Sequence, residues 1–116
     1  MTPYELTLRR PFVADHFHDL PGFLEARHGH NWELEATVRL EDGGAERAFQ
    51  DSLDGWIEKT DYSLLNDRPR LAARNPTAEL LAQWAFEHLA ESGLDPVRVR
   101  IREKVNYWAA CEGVAR

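Results

Sequence analysis

Cysteine is almost absent from this chain, which has only Cys111 among its 116 residues. A single thiol excludes an internal disulfide bond and is typical of a reducing compartment, so we expect a cytoplasmic protein. Long apolar stretches are also missing. None approaches the roughly 18 residues of a membrane span, and the N-terminus does not resemble a signal peptide. We therefore expect no membrane partner.

Positive charge is scarce as well. Lysine and arginine together number 14 against 20 aspartates and glutamates, which gives a net charge of -6. Nucleic-acid binding requires a basic surface, so we expect no nucleic-acid partner. With 43% hydrophobic and 29% charged residues, the composition is that of an ordinary globular protein. The length and the lack of repeats predict a single domain over residues 1–116.

Alternating apolar and polar residues predict two N-terminal strands. From His28 to Leu40 the even positions are mostly apolar and the odd positions polar, which is the period of a half-buried strand. The segment from Tyr4 to His16 alternates in the same way. We expect the two strands to pair as a hairpin whose connecting loop covers residues 17–27.

Three histidines share the inward face of this predicted hairpin. Side chains two apart in a strand lie on one face, so His28 and His30 point the same way. Pairing of the strands would place His16 opposite His28. Three neutral imidazoles that converge there suit a zinc ion with a fourth position open for water or substrate. The alternative is that they are ordinary polar residues at strand ends, and His18 is interpreted as a surface residue of the loop.

The rest of the chain predicts two helices and a final strand. Apolar residues at helical spacing indicate a helix near residues 45–60. The segment 75–77 (Asn-Pro-Thr) is typical of a helix start, and Gly93 is typical of a helix end. Alternation returns over residues 97–107, with room for a short strand near 105–115. This order predicts an α+β fold with two helices on one face of an antiparallel sheet.

The two faces of the last predicted strand differ. The basic face is interpreted as a solvated outer surface that pairs with the acidic residues Glu33 and Glu35 of a neighbouring strand. Its members are Arg98, Arg100, Arg102 and Lys104. The opposite face is otherwise apolar but contains Glu103. Its apolar members are Val97, Val99, Ile101, Val105 and Tyr107.

A carboxylate such as Glu103 is costly to bury unless it is paired. Glu103 therefore has a cationic partner, or it awaits a ligand that donates two parallel hydrogen bonds. The 2-amino-4-oxo edge of a pterin or guanine presents such a pair of donors. The alternative is that Glu103 lies at a frayed strand end and contacts solvent.

Four sets of residues, in this order, resemble the 6-pyruvoyltetrahydropterin synthase family, which includes the bacterial 6-carboxytetrahydropterin synthases of queuosine biosynthesis. Residues 12–16 and 28–32 are similar to the family's F-x-A-x-H and H-G-H-[NS]-aromatic elements. Residues 61–67 resemble D-H-x-x-L-N-D, residues 75–79 match N-P-T-x-E, and residues 99–103 resemble V-x-V-x-E. Each motif is weak alone, but the ordered set covers nearly the whole chain and is specific.

The resemblance implies the tunnelling fold, in which the antiparallel sheets of several subunits join into a barrel with the helices outside. It implies a homo-oligomer, usually a hexamer of two stacked trimers, with active sites at the subunit interfaces. It also implies a zinc ion held by three histidines and a pterin anchored by Glu103, with Thr77 and Glu79 supporting the pocket. The implied zinc ligands are His16, His28 and His30.

The sequence departs from the family where the reaction chemistry lies. The family has a cysteine four residues before the H-G-H element, and here that position is Leu24, which cannot act as a base. The histidine that follows the motif aspartate in the family is Tyr62 here, a poor proton shuttle at neutral pH. Asp61 remains without that partner. A positioned acid or base typically contributes about 10²–10⁴-fold, so losing both groups argues against the ordinary synthase reaction.

Glu25 offers a replacement for the missing cysteine. It stands three residues before His28, and Glu-x-x-His-Gly-His resembles a subgroup of the family in which a glutamate takes the place of the cysteine. That subgroup cleaves the side chain of a dihydroneopterin-type substrate to give 6-hydroxymethyl-dihydropterin. A carboxylate could take a proton from a hydroxyl near zinc and start a retro-aldol cleavage, with Asp61 assisting. The alternative is that Glu25 is a solvent-exposed loop residue.

Three hypotheses follow. The first is a zinc-dependent lyase that acts on dihydroneopterin or its triphosphate, with Glu25 and Asp61 as catalytic residues. The second is a non-catalytic or repurposed pterin- or purine-binding protein of the same fold. The third is an assembly module whose histidines are remnants, and the inward position of Glu103 argues against it.

Overall fold

The computed structural model describes residues 2–71 and 74–113. Its strands are β1 (Tyr4–Leu20), β2 (Phe23–Leu40), β3 (Ser63–Leu64), β4 (Asp95–Lys104) and β5 (Tyr107–Glu112). Its helices are α1 (Ala45–Thr60) and α2 (Ala78–Glu91), and two short 3₁₀ turns, Leu65–Asp67 and Pro69–Leu71, lie between them. The predicted helix at 45–60 and the short strand near 105–115 are confirmed.

The strands form one sheet in the order β3-β1-β2-β4-β5. Every neighbouring pair is antiparallel except β1 and β3, which run parallel. The predicted loop over 17–27 is wrong, because β1 continues to Leu20 and β2 begins at Phe23. Backbone pairing persists to the tip, and Gly22 accommodates the turn with a φ of 79°.

Alternation places the even-numbered residues of β1 and β2 on the face that the helices cover. Most of the largest fully buried side chains come from this face, from β4 and from α1 and α2, which confirms the predicted arrangement of helices on one side. They include Phe12, Trp32, Leu34, Phe49, Leu53, Trp56, Leu81, Leu89 and Ile101. Phe12 stacks on Trp32 at 5.7 Å and meets Trp56 edge-on, so aromatic packing joins the hairpin to α1.

The opposite face of the sheet is charged and paired, as predicted. Arg102 lies opposite Glu33 and Arg100 opposite Glu35 in the register of β2 and β4. Their charged atoms lie 3.8 Å and 3.4 Å apart, respectively. These contacts support a solvated ion-paired surface.

The end of the last predicted strand needs correction. β4 stops at Lys104 and the chain turns back into β5, so Val105 is exposed and Tyr107 belongs to the next strand. At the other end a bulge lies between β2 and β4, and Pro96 is buried where Val97 was expected. A bulge shifts the side-chain alternation by one residue.

Thr77 caps α2, because its hydroxyl accepts a hydrogen bond from the Leu80 N–H at 3.2 Å. Replacing Thr77 by alanine is expected to lower the free energy of unfolding by about 1 kcal/mol, since the helix loses its N-cap acceptor. Urea denaturation measures this loss, and Thr77→Ser, which keeps the hydroxyl, serves as control. An equal loss in the serine variant would contradict the capping role.

Within residues 2–71 and 74–113, no helix is long and apolar enough to cross a membrane.

Candidate metal centre

The predicted histidine triad forms on the helix-covered face near the hairpin tip. His16 pairs with His28 across β1 and β2, and their Nε2 atoms lie 3.0 Å apart. His30 follows on the same face, and one ligand atom from each of the three residues lies within 4.8 Å of the others. Trp32 forms the apolar wall beside them, with its ring 5.2 Å from that of His16. The three imidazoles could therefore hold one metal ion.

Backbone carbonyls orient two of these rings. His16 Nδ1 donates to the Pro76 carbonyl at 2.8 Å, and His28 Nδ1 donates to the Ala26 carbonyl at 2.7 Å. A proton held on Nδ1 leaves the lone pair on Nε2 and fixes the ring, which is the usual outer support of a metal-binding histidine. His30 Nε2 is buried and lacks a hydrogen-bond partner in the described part of the chain. This unsatisfied nitrogen fits a metal ligand.

Burial also favours the metal-binding form of the triad. Burial lowers the pKa of His16, and the nearby His28 and His30 act in the same direction, against the Pro76 carbonyl and Glu103. Burial likewise lowers the pKa of His30, although the negative charge of Glu103 opposes it. Both imidazoles are therefore held toward the neutral state, which is the state that binds metals.

Two carboxylates lie beside the triad, each near a different histidine. Glu103 Oε1 lies 3.4 Å from His30 Nε2, with both side chains mostly buried. Glu25 Oε1 lies 3.4 Å from His28 Nε2, and its side chain is 40% exposed. Glu103 is thus turned inward, as its place in an apolar row indicated. Glu25 approaches the site from β2, where it pairs with His18 of β1.

His18 was predicted to lie on the surface, and this is wrong. Its side chain is only 9% exposed, because β1 continues past His16 and keeps His18 on the covered face. Its Nδ1 lies 2.9 Å from Glu25 Oε1, and its Nε2 lies 3.2 Å from the Pro76 carbonyl oxygen. The signal was available in the sequence, since His18 shares the even parity of His16.

Within the described residues, no hydrogen bond or ion pair joins Asp61, Thr77 or Glu79 to the triad histidines. Asp61 ends α1, and its Oδ1 accepts from the Val13 N–H at 2.8 Å. Glu79 accepts from the Tyr107 hydroxyl at 2.6 Å. Burial would raise the pKa of Glu79, but this bond, its own backbone N–H and the Thr77 hydroxyl together lower it.

The positions where the family pattern has a cysteine and a histidine are both exposed. Leu24 is 77% exposed at the hairpin tip, and Tyr62 is 85% exposed with a positive φ of 54°. Neither side chain is buried among the histidines. With leucine and tyrosine at these two positions, the ionisable side chain beside His28 is that of Glu25.

Comparison with known proteins shows the family and the fold of the chain. The family model described as 6-pyruvoyl tetrahydropterin synthase matches residues 5–114, a span that includes the hairpin, both helices and β4. The chain belongs to the 6-pyruvoyl tetrahydropterin synthase family. A relative from Archaeoglobus fulgidus, provisionally named a 6-carboxy-5,6,7,8-tetrahydropterin synthase, is 31% identical over 99 residues, covering 79% of this chain and 83% of the relative.

Solved structures of this family share the architecture. The 6-pyruvoyl tetrahydropterin synthase of Caenorhabditis elegans superposes with a TM-score of 0.79 at 17% identity, over 98% of both chains. The Plasmodium vivax 6-pyruvoyltetrahydropterin synthase superposes with a TM-score of 0.73 at 14% identity, over 96% of this chain and 98% of that one. Two of the P. vivax structures are catalytic residue mutants in which a glutamate is replaced by alanine or by cysteine. At these identities the likeness shows the tunnelling fold, and the barrel of the oligomer stays a prediction.

Proposed function

We propose that this protein is a zinc-dependent lyase that binds a dihydropterin and cleaves its side chain. The observation that supports this most directly is the pair of carboxylates, Glu25 and Glu103, that approach the histidine triad from two sides. One carboxylate is available to bind the ring of a substrate, and the other to move a proton on its side chain.

Glu103 is the proposed pterin-binding residue. Its carboxylate is largely buried and lies 3.4 Å from His30 Nε2, whose lowered pKa favours the neutral form. A buried carboxylate without a firm cationic partner favours a ligand that donates two N–H groups. The amino and ring N–H groups of a pterin have that arrangement.

Replacing Glu103 by glutamine is expected to weaken pterin binding by about 10- to 100-fold, because one charged hydrogen bond is lost and an amide donor faces the ligand instead. Isothermal titration calorimetry with neopterin measures the change. Glu33→Gln, the same substitution on the outer face of the sheet, is the matched control. Equal affinity in the Glu103 and Glu33 variants would remove Glu103 from the binding site.

His16, His28 and His30 would hold the zinc ion, which when bound supplies a Lewis acid that polarises oxygen on the substrate side chain. Glu25 takes the proton from the hydroxyl on the second side-chain carbon. The bond between the first and second carbons then breaks, the second carbon becomes an aldehyde, and the electron pair passes into the pterin ring. Return of the proton to the first carbon gives 6-hydroxymethyl-dihydropterin.

A glutamate in this role has support within the fold. The Plasmodium vivax enzyme carries a glutamate that is named a catalytic residue. Here the residue at the family's cysteine position is Leu24, and the carboxylate of the adjacent Glu25 lies beside His28. We therefore assign the base to Glu25.

Incubating the purified protein with zinc and dihydroneopterin, or its triphosphate, tests this proposal. Chromatography should show 6-hydroxymethyl-dihydropterin and one equivalent of the two-carbon aldehyde.

We further propose a cytoplasmic homo-oligomer, a hexamer of two trimers, in which the exposed Tyr62 and its neighbour Asp61 would approach a site of another subunit. Sedimentation analysis tests the assembly.

The second candidate is a pterin- or purine-binding protein that has lost the family reaction. The exposed Leu24 and Tyr62 favour it, because they stand where the family pattern has reactive groups. It predicts micromolar binding of a pterin or guanine compound with no cleavage. Tight binding without product in the same chromatographic assay would select this function over the lyase.

A further inference from the structure

His18 is a buried imidazole whose two nitrogens face different groups. Nδ1 lies 2.9 Å from Glu25 Oε1, and Nε2 lies 3.2 Å from the carbonyl oxygen of Pro76. Nδ1 has no hydrogen-bond partner among residues 2–71 and 74–113, so its approach to Glu25 Oε1 at 2.9 Å is a close contact without hydrogen-bond geometry. Because an unsatisfied buried nitrogen is costly, a small rotation of the Glu25 carboxylate toward Nδ1 is favoured.

The His18 ring is itself fixed on three sides. It packs edge-on against His16 with ring centroids 4.9 Å apart, and Phe23 lies 5.1 Å away on the other side. The Pro76 carbonyl that contacts His18 also accepts from His16 Nδ1 at 2.8 Å. One backbone oxygen therefore sets the position of both rings.

Glu25 needs such a support, because its side chain is 40% exposed near the hairpin tip. A long exposed side chain samples several rotamers, and ordering it has an entropic cost. The oxygen that contacts His18 is the same oxygen, Oε1, that lies 3.4 Å from His28 Nε2. Contact with a rigid buried ring therefore aims this oxygen at the triad.

We infer that His18 is a positioning residue that holds the Glu25 carboxylate against the metal site. The inference deepens the proposed function, since it names what orients the proposed base. Nothing in it requires His18 to touch the substrate or the metal. Its effect passes through Glu25 alone.

Two substitutions separate this role from simple packing. The side-chain nitrogen of asparagine occupies roughly the place of histidine Nδ1, and that of glutamine roughly the place of Nε2. His18→Asn therefore places a nitrogen donor beside Glu25, whereas His18→Gln places one beside the Pro76 carbonyl. We expect His18→Gln to lower kcat by about 10- to 100-fold, as loss of an outer-shell partner does, with KM little changed. His18→Asn should retain most of the activity.

A packing role predicts the opposite order, because glutamine preserves the contact with Pro76. Zinc content and melting temperature, measured on both variants, show whether the triad and the fold survive. Glu25→Gln/His18→Gln should be no slower than Glu25→Gln alone, since His18 acts through Glu25. An active His18→Gln protein, or a further loss in the double variant, would overturn the inference.

A spectroscopic measurement separates this inference from the lyase proposal. In protein labelled with ¹⁵N-histidine, with and without zinc, the Nδ1–H signal of His18 should be protected from exchange in the parent. Glu25→Ala should shift or broaden it, while Asp19→Asn on the same hairpin should not. A signal unaffected by Glu25→Ala would refute the positioning role. A signal that depends on Glu25 in a protein without cleavage activity would refute the lyase and leave the positioning intact.

Discussion

Glu25→Gln is expected to lower kcat for dihydropterin side-chain cleavage by about 10²–10⁴-fold, the usual effect of losing a positioned general base. Glutamine has the same size and keeps a side-chain oxygen that can accept a hydrogen bond, but it does not take up a proton. Glu25 lies beside His28 and is separate from the proposed ring-binding carboxylate, Glu103. Pterin affinity and zinc content should therefore stay near parental values.

Single-turnover kinetics with product analysis measures this effect, and calorimetry with a non-cleavable pterin measures binding. Asp19→Asn is the matched control, because it removes one negative charge from the same hairpin at an exposed position. If Glu25→Gln turned over like the control, Glu25 would lose the role of base. If the parent bound pterin and cleaved none, the repurposed binding protein would replace the lyase.

Zinc is expected to raise the free energy of unfolding of the parent by about 2.7 kcal/mol when free zinc exceeds its Kd 100-fold. This zinc-dependent increase should vanish in His30→Ala, because the variant lacks one of the three proposed zinc ligands. His30 Nε2 is buried without a hydrogen-bond partner in the described residues. His88→Ala is the control, since His88 lies on α2 and contacts the Ser52 carbonyl at 2.9 Å. Its baseline stability should fall while its zinc increment remains.

Thermal unfolding with chelator and with added zinc measures both increments, and elemental analysis gives zinc per chain. About one zinc per parent chain and none in His30→Ala is the expected pair of results. A zinc increment of equal size in the parent and in His30→Ala would place the metal elsewhere. A parent that binds no zinc would leave pterin binding through Glu103 as the remaining function.

Zinc binding should weaken as the pH falls, because protons compete with the metal for the imidazoles. Burial lowers the pKa of His16 and His30 in the folded chain. Their neutral forms therefore persist below the pH at which an exposed histidine is half protonated. Zinc affinity measured as a function of pH checks this, with a histidine-containing peptide as reference. The affinity of the protein should be lost at a lower pH than that of the peptide.

Alternation along two strands was enough to predict which residues meet at the metal site. In a strand the side-chain period is two, so burial of one face determines that His16, His28 and His30 point the same way. Helical spacing identified α1 in the same manner, and the inward direction of Glu103 followed from its apolar neighbours. These are local consequences of backbone geometry, which the amino-acid order specifies directly.

The hairpin tip shows where this reasoning ends. Its sequence lacks clean alternation, and so residues 17–27 were taken for a loop although backbone hydrogen bonds pair them almost to the turn. Strand pairing depends on N–H and C=O groups that every residue except proline provides, and side-chain pattern does not report it. The burial of His18 was missed because the first strand was predicted to end at His16, although His18 shares the even parity of His16.

The order of residues by itself determined the family, the face that each histidine occupies and the inward carboxylate, because each depends on short periodic spacing. Only the tertiary structure decided what supports those groups. The Pro76 carbonyl reaches His16 and His18 from about 60 positions along the chain, and cross-strand register brings Glu25 to His18. Such contacts depend on how the segment before α2 lies against the hairpin, a long-range arrangement that no local pattern encodes.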